Sequence, residues 1–207
     1  MRQAAFLRAI NVGTHNRIKM ADLRELCERA GLENVSTYLQ TGNLLFDAHD
    51  EPEAVAVTIE KALADHGLRN AAAIVRTLDE LDGLLACRAF DPYPVDAFTR
   101  FVTLFRADLP PQAEQFVAEN DGYVLARKRE VLAVLPVQRP RGVDLNGTIE
   151  KRLKVQATTR YWHVVEEMTR RSTRTLSDPP TRLNCCSVST RRIFDCVPGG
   201  MSATSSK

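Results

Sequence analysis

Arg8-Ala9-Ile10-Asn11-Val12-Gly13-Thr14-His15-Asn16-Arg17-Ile18-Lys19-Met20 joins an apolar run to an amphipathic stretch, and the two patterns it connects decide the fold. Upstream, residues 3–10 have a nearly continuous apolar centre, as an interior strand does. Downstream, Met20, Leu23, Leu26, Cys27 and Ala30 recur at helical spacing. They predict a helix from Met20 to Ala30, ended by Gly31 as its C′ residue. The loop between them is rich in amides and cations and holds one glycine.

Outward from this loop the two periods alternate. Asn34 to Gln40 reads as a second strand, with Val35, Thr37 and Leu39 on one face and Ser36, Tyr38 and Gln40 on the other. Thr41-Gly42-Asn43 is a tight turn in which Gly42 supplies a positive φ. Leu44 to Asp47 is a third strand. Pro52 to His66 is a helix with Pro52 in its first turn and Val55, Ile59, Ala62 and Leu63 inward. Ala71 to Arg76 is a fourth strand. The order β-α-β-β-α-β is the split pattern of a ferredoxin-like sandwich. Its crossover makes strands one and two parallel, with strand three antiparallel between them. The C-terminal ends of strands one and two and the start of strand three therefore share one edge.

The pattern restarts further on. Leu78 to Ala86 is a short helix, and residues 87–97, with Pro92 and Pro94, read as a linker. Phe98 to Arg106 alternates as a strand, Pro111 to Glu119 is a helix, and Gly122–Arg127 and Glu130–Leu135 are strands joined at Lys128-Arg129. Residues 147–154 form a short helix and Tyr161 to Arg171 another, with no clear fourth strand. Thr158 or Thr159 is the expected N-cap of that last helix. Arg160 then falls in a first turn, where the helix dipole disfavours a cation. That misfit points to a partner, a carboxylate, an anion or the opposite domain; the plain alternative, of equal weight, is an exposed arginine with no role. Trp162 reads as a core or interdomain anchor. The fold class is thus α+β: two ferredoxin-like halves, antiparallel sheets with helices on one face, plus a disordered tail. The divisions are 1–86, a linker at 87–97, 98–171, and a tail at 172–207 in which twelve of 36 residues are Ser or Thr.

Charge narrows the function classes. The tail holds five of the 28 bases and two of the 26 acids, which leaves the body 23 bases and 24 acids. A near-neutral body disfavours an extended nucleic-acid footprint. No apolar run approaches a membrane span, and Arg8 interrupts the only early apolar stretch, so no signal peptide is read. The five cysteines contain no C-x-x-C; Cys27 reads as a core residue, and a cytoplasmic protein is expected. The four histidines (His15, His49, His66, His163) lack metal-ligand spacing, and no phosphate loop, dinucleotide fingerprint or nucleophile elbow is present. No metal and no cofactor are expected.

What remains is the shared edge. Arg8, Asn11, Gly13, Asn16 and Lys19 come from the first loop, and Gln40, Thr41, Gly42 and Asn43 from the hairpin. Thr159 and Arg160 are added from the second half. Free amides, the dipole of the first helix and the cations Arg8 and Lys19 suit a small phosphorylated or carboxylated ligand. The plain alternative is that these amides and glycines serve turns and Arg8 caps carbonyls. Two other classes stay open: a nucleic-acid binder, and an enzyme acting on a phosphate ester or amide through His15 or a carboxylate that the sequence does not place.

Leu7-Arg8-Ala9-Ile10-Asn11-Val12-Gly13, then His15 to Met20, then Tyr38 to Asn43, then Thr158 to Trp162 together resemble a bacterial family known only as a domain of unknown function (number sixteen ninety-seven). The resemblance covers roughly residues 3–171 and implies two ferredoxin-like halves, with no established activity. The family usually has Gly where Ala9 and Thr14 stand, and Asn-Trp after the arginine, where this chain has Tyr161 before Trp162. The two lost glycines stiffen the loop, and a ligand that needs close backbone approach would bind less well. The tail has no counterpart in the family.

Overall fold

A computed structural model describes residues 1–13, 16–138 and 144–175. The expectations for Thr14, His15 and the tail beyond residue 175 lie outside the described residues.

β1 (Arg2–Arg8) is buried over its five central residues and has a neighbour on each side, as its unbroken apolar run requires. The first half continues with α1 (Met20–Arg29), β2 (Glu33–Tyr38), β3 (Asn43–Asp47), α2 (Pro52–Asp65) and β4 (Ala72–Thr77). The sheet order is β2-β3-β1-β4 with every pairing antiparallel. β3 therefore separates β1 from β2, which run parallel, as the crossover argument demands. A second unit follows α3 (Leu78–Leu85): β5 (Phe98–Phe105), α4 (Gln112–Glu119), β6 (Tyr123–Arg127), β7 (Glu130–Pro136), α5 (Leu145–Leu153), β8 (Ala157–Tyr161) and α6 (Trp162–Thr175). Its sheet order, β6-β7-β5-β8, repeats that of the first half.

β8 corrects the sequence reading, which found no fourth strand there. Thr158 and Thr159 do not cap the final helix, and Arg160 is not in a first turn. All three belong to β8, paired with Leu104, Thr103 and Val102 of β5, and α6 begins only at Trp162. The polar run Thr158-Thr159-Arg160 hid the strand, because it shows no apolar alternation and Arg160 finds partners in the other half of the chain.

Three apolar clusters fill the layers. α1 and α2 cover one face of the first sheet through Leu23, Cys27, Ile59 and Leu63, against Leu7, Leu44 and Phe46. α4 and α5 cover the outer face of the second sheet through Phe116 and Ile149, against Phe105 and Val131. The remaining faces, Ala4, Phe6, Leu45 and Ile74 on one sheet and Val102, Leu104, Leu132 and Val134 on the other, share a central cluster. α3 and α6 insert there through Leu81, Leu84, Val165 and Met168. Phe90, from the connecting segment, is 4% exposed and packs edge-on against Trp162 at 4.9 Å between ring centres. Trp162 thus anchors the two units together. α3 starts with a reciprocal cap: Thr77 Oγ1 accepts from the Glu80 amide, and the Glu80 carboxylate accepts from the Thr77 amide.

Candidate functional site

Three chain segments meet at the C-terminal end of β1. The Leu7 amide donates to Gly42 O at 2.7 Å, and Asn11 Nδ2 donates to Gln40 O at 2.9 Å, which joins the first loop to the hairpin. Asn11 also ties its own loop together, with Nδ2 donating to Ile18 O and Oδ1 accepting the Ile18 amide. Asn16 Nδ2 donates to Ala9 O and to Arg69 O, bringing in the segment between α2 and β4. That third segment belongs here by topology, because β4 runs antiparallel to β1 and pairs Ala72 with Arg8.

The first loop is tightly kinked. Ala9, Asn11, Gly13 and Asn16 all have φ between 50° and 61°. Gly13 and the two asparagines tolerate this region, whereas Ala9 does so at a cost of about 1–2 kcal/mol. Gly42 (φ 76°) is demanded twice over: a Cβ there would lie 2.5 Å from Ile10 Cδ1 and 2.8 Å from Leu7 Cβ.

The candidate residues fall into three groups instead of converging on one pocket. Asn11, Lys19 and Gln40 line a cleft of about 660 Å³, together with Arg17, Asp22 and His66. Arg17 donates from Nε and Nη2 to Gly13 O at 3.1 Å. Neither Arg17 nor Lys19 has a carboxylate within ion-pair distance among the described residues. Lys19 is the N-cap of α1 and caps it with no side-chain bond, so the first-turn amides of that helix open at the cleft. Arg8 and Asn16 line a separate cleft of about 430 Å³ with Ala9, Val12 and Asn146. Gly13 and Thr41 are exposed, and Thr159 hydrogen-bonds Thr103 and Asn146.

The third group is a clasp between the two halves. Asn43 is fully buried; its Nδ2 donates to Tyr38 O and Thr41 Oγ1, and its Oδ1 accepts from Arg160 Nε at 2.7 Å. Arg160 Nη1 donates to Thr158 Oγ1 and Thr159 O, and Nη2 to Leu7 O (2.5 Å) and Thr41 O (3.1 Å). All five donors are used, every acceptor is neutral, and burial lowers the guanidinium pKa to about 10. The partner that Arg160 was expected to have is the opposite half.

Sheet register exposes a counterpart. Phe6 pairs Asn43 and Ala4 pairs Arg76 in the first sheet; Leu104 pairs Glu130 and Val102 pairs Arg160 in the second. Arg76 thus occupies in β4 the place of Arg160 in β8, and it reaches the other way. Its Nε donates to Glu130 Oε1 (3.1 Å), Nη1 to Val75 O, and Nη2 to Phe105 O (2.5 Å) and Arg129 O (3.2 Å). The outer pair repeats the same exchange. Arg8 binds Glu150 at 2.8 Å while Glu150 accepts the Ala157 amide; Arg106 binds Glu60 at 2.9 Å while Glu60 accepts the Ala73 amide. Residue i of one half meets j of the other and the reverse, as in an isologous interface.

Residues missed by the sequence reading are Arg17, His66 and Asn146. The return of β4 beside β1 was sufficient to place the end of α2, and with it His66, at this edge; nothing in the sequence pointed to Asn146. Among the described residues no group of three or more His, Cys, Asp or Glu could hold a metal ion, and no helix is long and apolar enough to cross a membrane.

No curated protein matches the chain. Among solved structures, it is similar to the conserved bacterial protein SP0830 from Streptococcus pneumoniae, with a TM-score of 0.60 and 21% identity over 83% of this chain and 98% of that one. At that identity the likeness concerns the fold alone. A family model described as "Protein of unknown function (DUF1697)" matches residues 1–131, which include the kinked loop, the hairpin and the whole first sheet but stop short of Arg160. Matched over more than half its length, the chain belongs to the DUF1697 family of proteins of unknown function.

Proposed function

We propose that the protein binds a small phosphorylated or carboxylated ligand in the cleft between the first loop and the β2–β3 hairpin. The observation that supports this most is the pair Arg17 and Lys19. Both line the cleft without a carboxylate partner among the described residues, beside the uncapped amides of α1. One acid, Asp22, shares the lining and leaves the cationic charge in excess. Charge-assisted bonds from Lys19 and Arg17, with amides of the first helical turn, are the contacts that hold phosphate or carboxylate elsewhere.

A thermal-shift screen of inorganic phosphate, small phosphate esters and small carboxylates tests the reading. A ligand at 100 times its Kd adds about 2.7 kcal/mol of stability. The expected result is protection of the parent and its loss in Arg17→Ala and Lys19→Ala. Protection by no anion, or equal protection of both variants, overturns the reading.

Binding of single-stranded nucleic acid is a second reading, favoured by one observation. Tyr161, 50% exposed, packs between Phe101 (5.0 Å) and His163 (5.4 Å), and such a strip can stack on a base. It predicts oligonucleotide binding that Tyr161→Ala abolishes.

A further inference from the structure

In the two inner clasps each arginine gives Nε to a side chain of the other half, Nη1 to the carbonyl of the residue before it, and Nη2 to carbonyls of the other half, while Arg160 alone adds a bond to Thr158 Oγ1; the Nε partner differs in charge. Glu130 gives Arg76 a carboxylate, and Asn43 gives Arg160 an amide. Arg76 is therefore part of a neutral pair, while Arg160 holds a full positive charge that no described carboxylate within ion-pair distance offsets. The outer clasps lean the same way. Among the described residues Arg106 has two carboxylates, Glu53 and Glu60, whereas Arg8 has only Glu150. Burying a charge without a counter-charge is costly unless something else supplies the field. Arg160 donates to Thr41 O, and Gln40, the next residue along the hairpin, lines the cleft with Lys19 and Arg17.

We propose that an anion bound at the first-half edge supplies the negative charge that Glu130 supplies in the second half, so that ligand binding and the clasp between the halves are coupled through Arg160. This rests on the ligand reading above. Arg160 acts as a fixed charge behind the hairpin and makes no bond to the ligand, since its five donors are taken. The ligand therefore needs only one compact anionic group at this position. The occupied anion strengthens the Arg160 clasp, and the Arg160 charge in turn favours the bound anion.

Inorganic phosphate is the probe, with its Kd measured on the full chain by isothermal titration. Arg160→Lys and Arg160→Gln both remove most of the five-bond clasp, but only the first keeps the charge. The expected result is a Kd within about threefold of the parent for Arg160→Lys and a rise of about tenfold for Arg160→Gln, the weight of one charge acting across part of the protein. A third variant, Thr158→Asp, places a carboxylate on the Arg160 Nη1 that now meets Thr158 Oγ1. It is expected to weaken phosphate binding about tenfold while raising the melting temperature in phosphate-free buffer. Equal affinities for Arg160→Lys and Arg160→Gln, or parental affinity in Thr158→Asp, overturn the coupling. If in that case Lys19→Ala still loses phosphate, the cleft stands and only the role of Arg160 falls. If phosphate binds none of the proteins, both fall together.

Discussion

The two halves present the same edge twice, and the edges differ in charge and in backbone. At the first, eleven residues (9–19) link β1 to α1; Ala9, Asn11, Gly13 and Asn16 are left-handed, and among the described residues two cations line a cleft with no carboxylate partner. At the second, six residues (106–111) link β5 to α4 with Pro110-Pro111 and no left-handed residue, and the corresponding cleft mixes Asp108 and Glu114 with Arg127 and Lys128. Behind the first edge lies Arg160 with Asn43; behind the second, Arg76 with Glu130. One scaffold thus has one edge neutralised internally and one left with surplus positive charge. That surplus, more than any motif, is what the proposed anion site rests on.

The largest expected effect separates the two clasps. Glu130→Ala strands the Arg76 charge in a site 1% exposed and is expected to cost about 3–5 kcal/mol, the usual result of breaking a buried ion pair. Arg160→Met strands only neutral acceptors, the Asn43 and Thr158 side-chain oxygens and the Leu7, Thr41 and Thr159 carbonyls, and is expected to cost about 1–3 kcal/mol. Denaturant unfolding of both variants checks the order; equal costs would erase the distinction drawn between the clasps.

Gly42→Ala and Gly13→Ala compare the hairpin with the loop. A methyl at Gly42 overlaps Ile10 and Leu7 in addition to the adverse φ, for about 2–4 kcal/mol. Gly13 faces open space, so only the φ term of about 1 kcal/mol applies. The melting temperatures of the two variants should fall in that ratio.

Cys27, on the buried face of α1, gives a pH test. Burial, with Glu28 adding to it, pushes its thiol up to about 12 from an ordinary 9. Above pH 9 the unfolded chain releases this proton and the folded one keeps it, so stability falls as pH rises, by about 1.4 kcal/mol at pH 10. Stability curves of the parent and Cys27→Ala between pH 8 and 10 should converge by that amount.

The smallest effect is a gain. Ala9→Gly relieves a left-handed alanine and is expected to add about 0.5–1 kcal/mol. The analogous Ala107→Gly, at a position with ordinary φ, should lower stability slightly.

The first half was legible from sequence because its partners are local. The unbroken apolar run of β1, the helical stripe of α1 and Gly42 in the hairpin each carry their reason within a few residues. The meeting of loop and hairpin followed from the crossover alone. β8 was not legible, since Arg160 is satisfied by Leu7, Thr41 and Asn43, more than 110 positions away, and Thr158 in turn accepts from Arg160. For the same reason Asn43 read as a residue open to a ligand, although its side chain is consumed by the interface. Arg76 read as the plain end of a strand, because a buried arginine in a β pattern carries no local signal of the glutamate 54 residues on.

Titrating inorganic phosphate against the uniformly 15N-labelled protein, followed by backbone amide resonances, tests most directly that the first edge alone is an anion site. The account predicts saturable shifts at Lys19, Met20, Ala21 and Gln40, with Leu109, Ala113 and Glu114 of the second edge unmoved. Shifts of equal size at both edges, or shifts confined to the second, would contradict it.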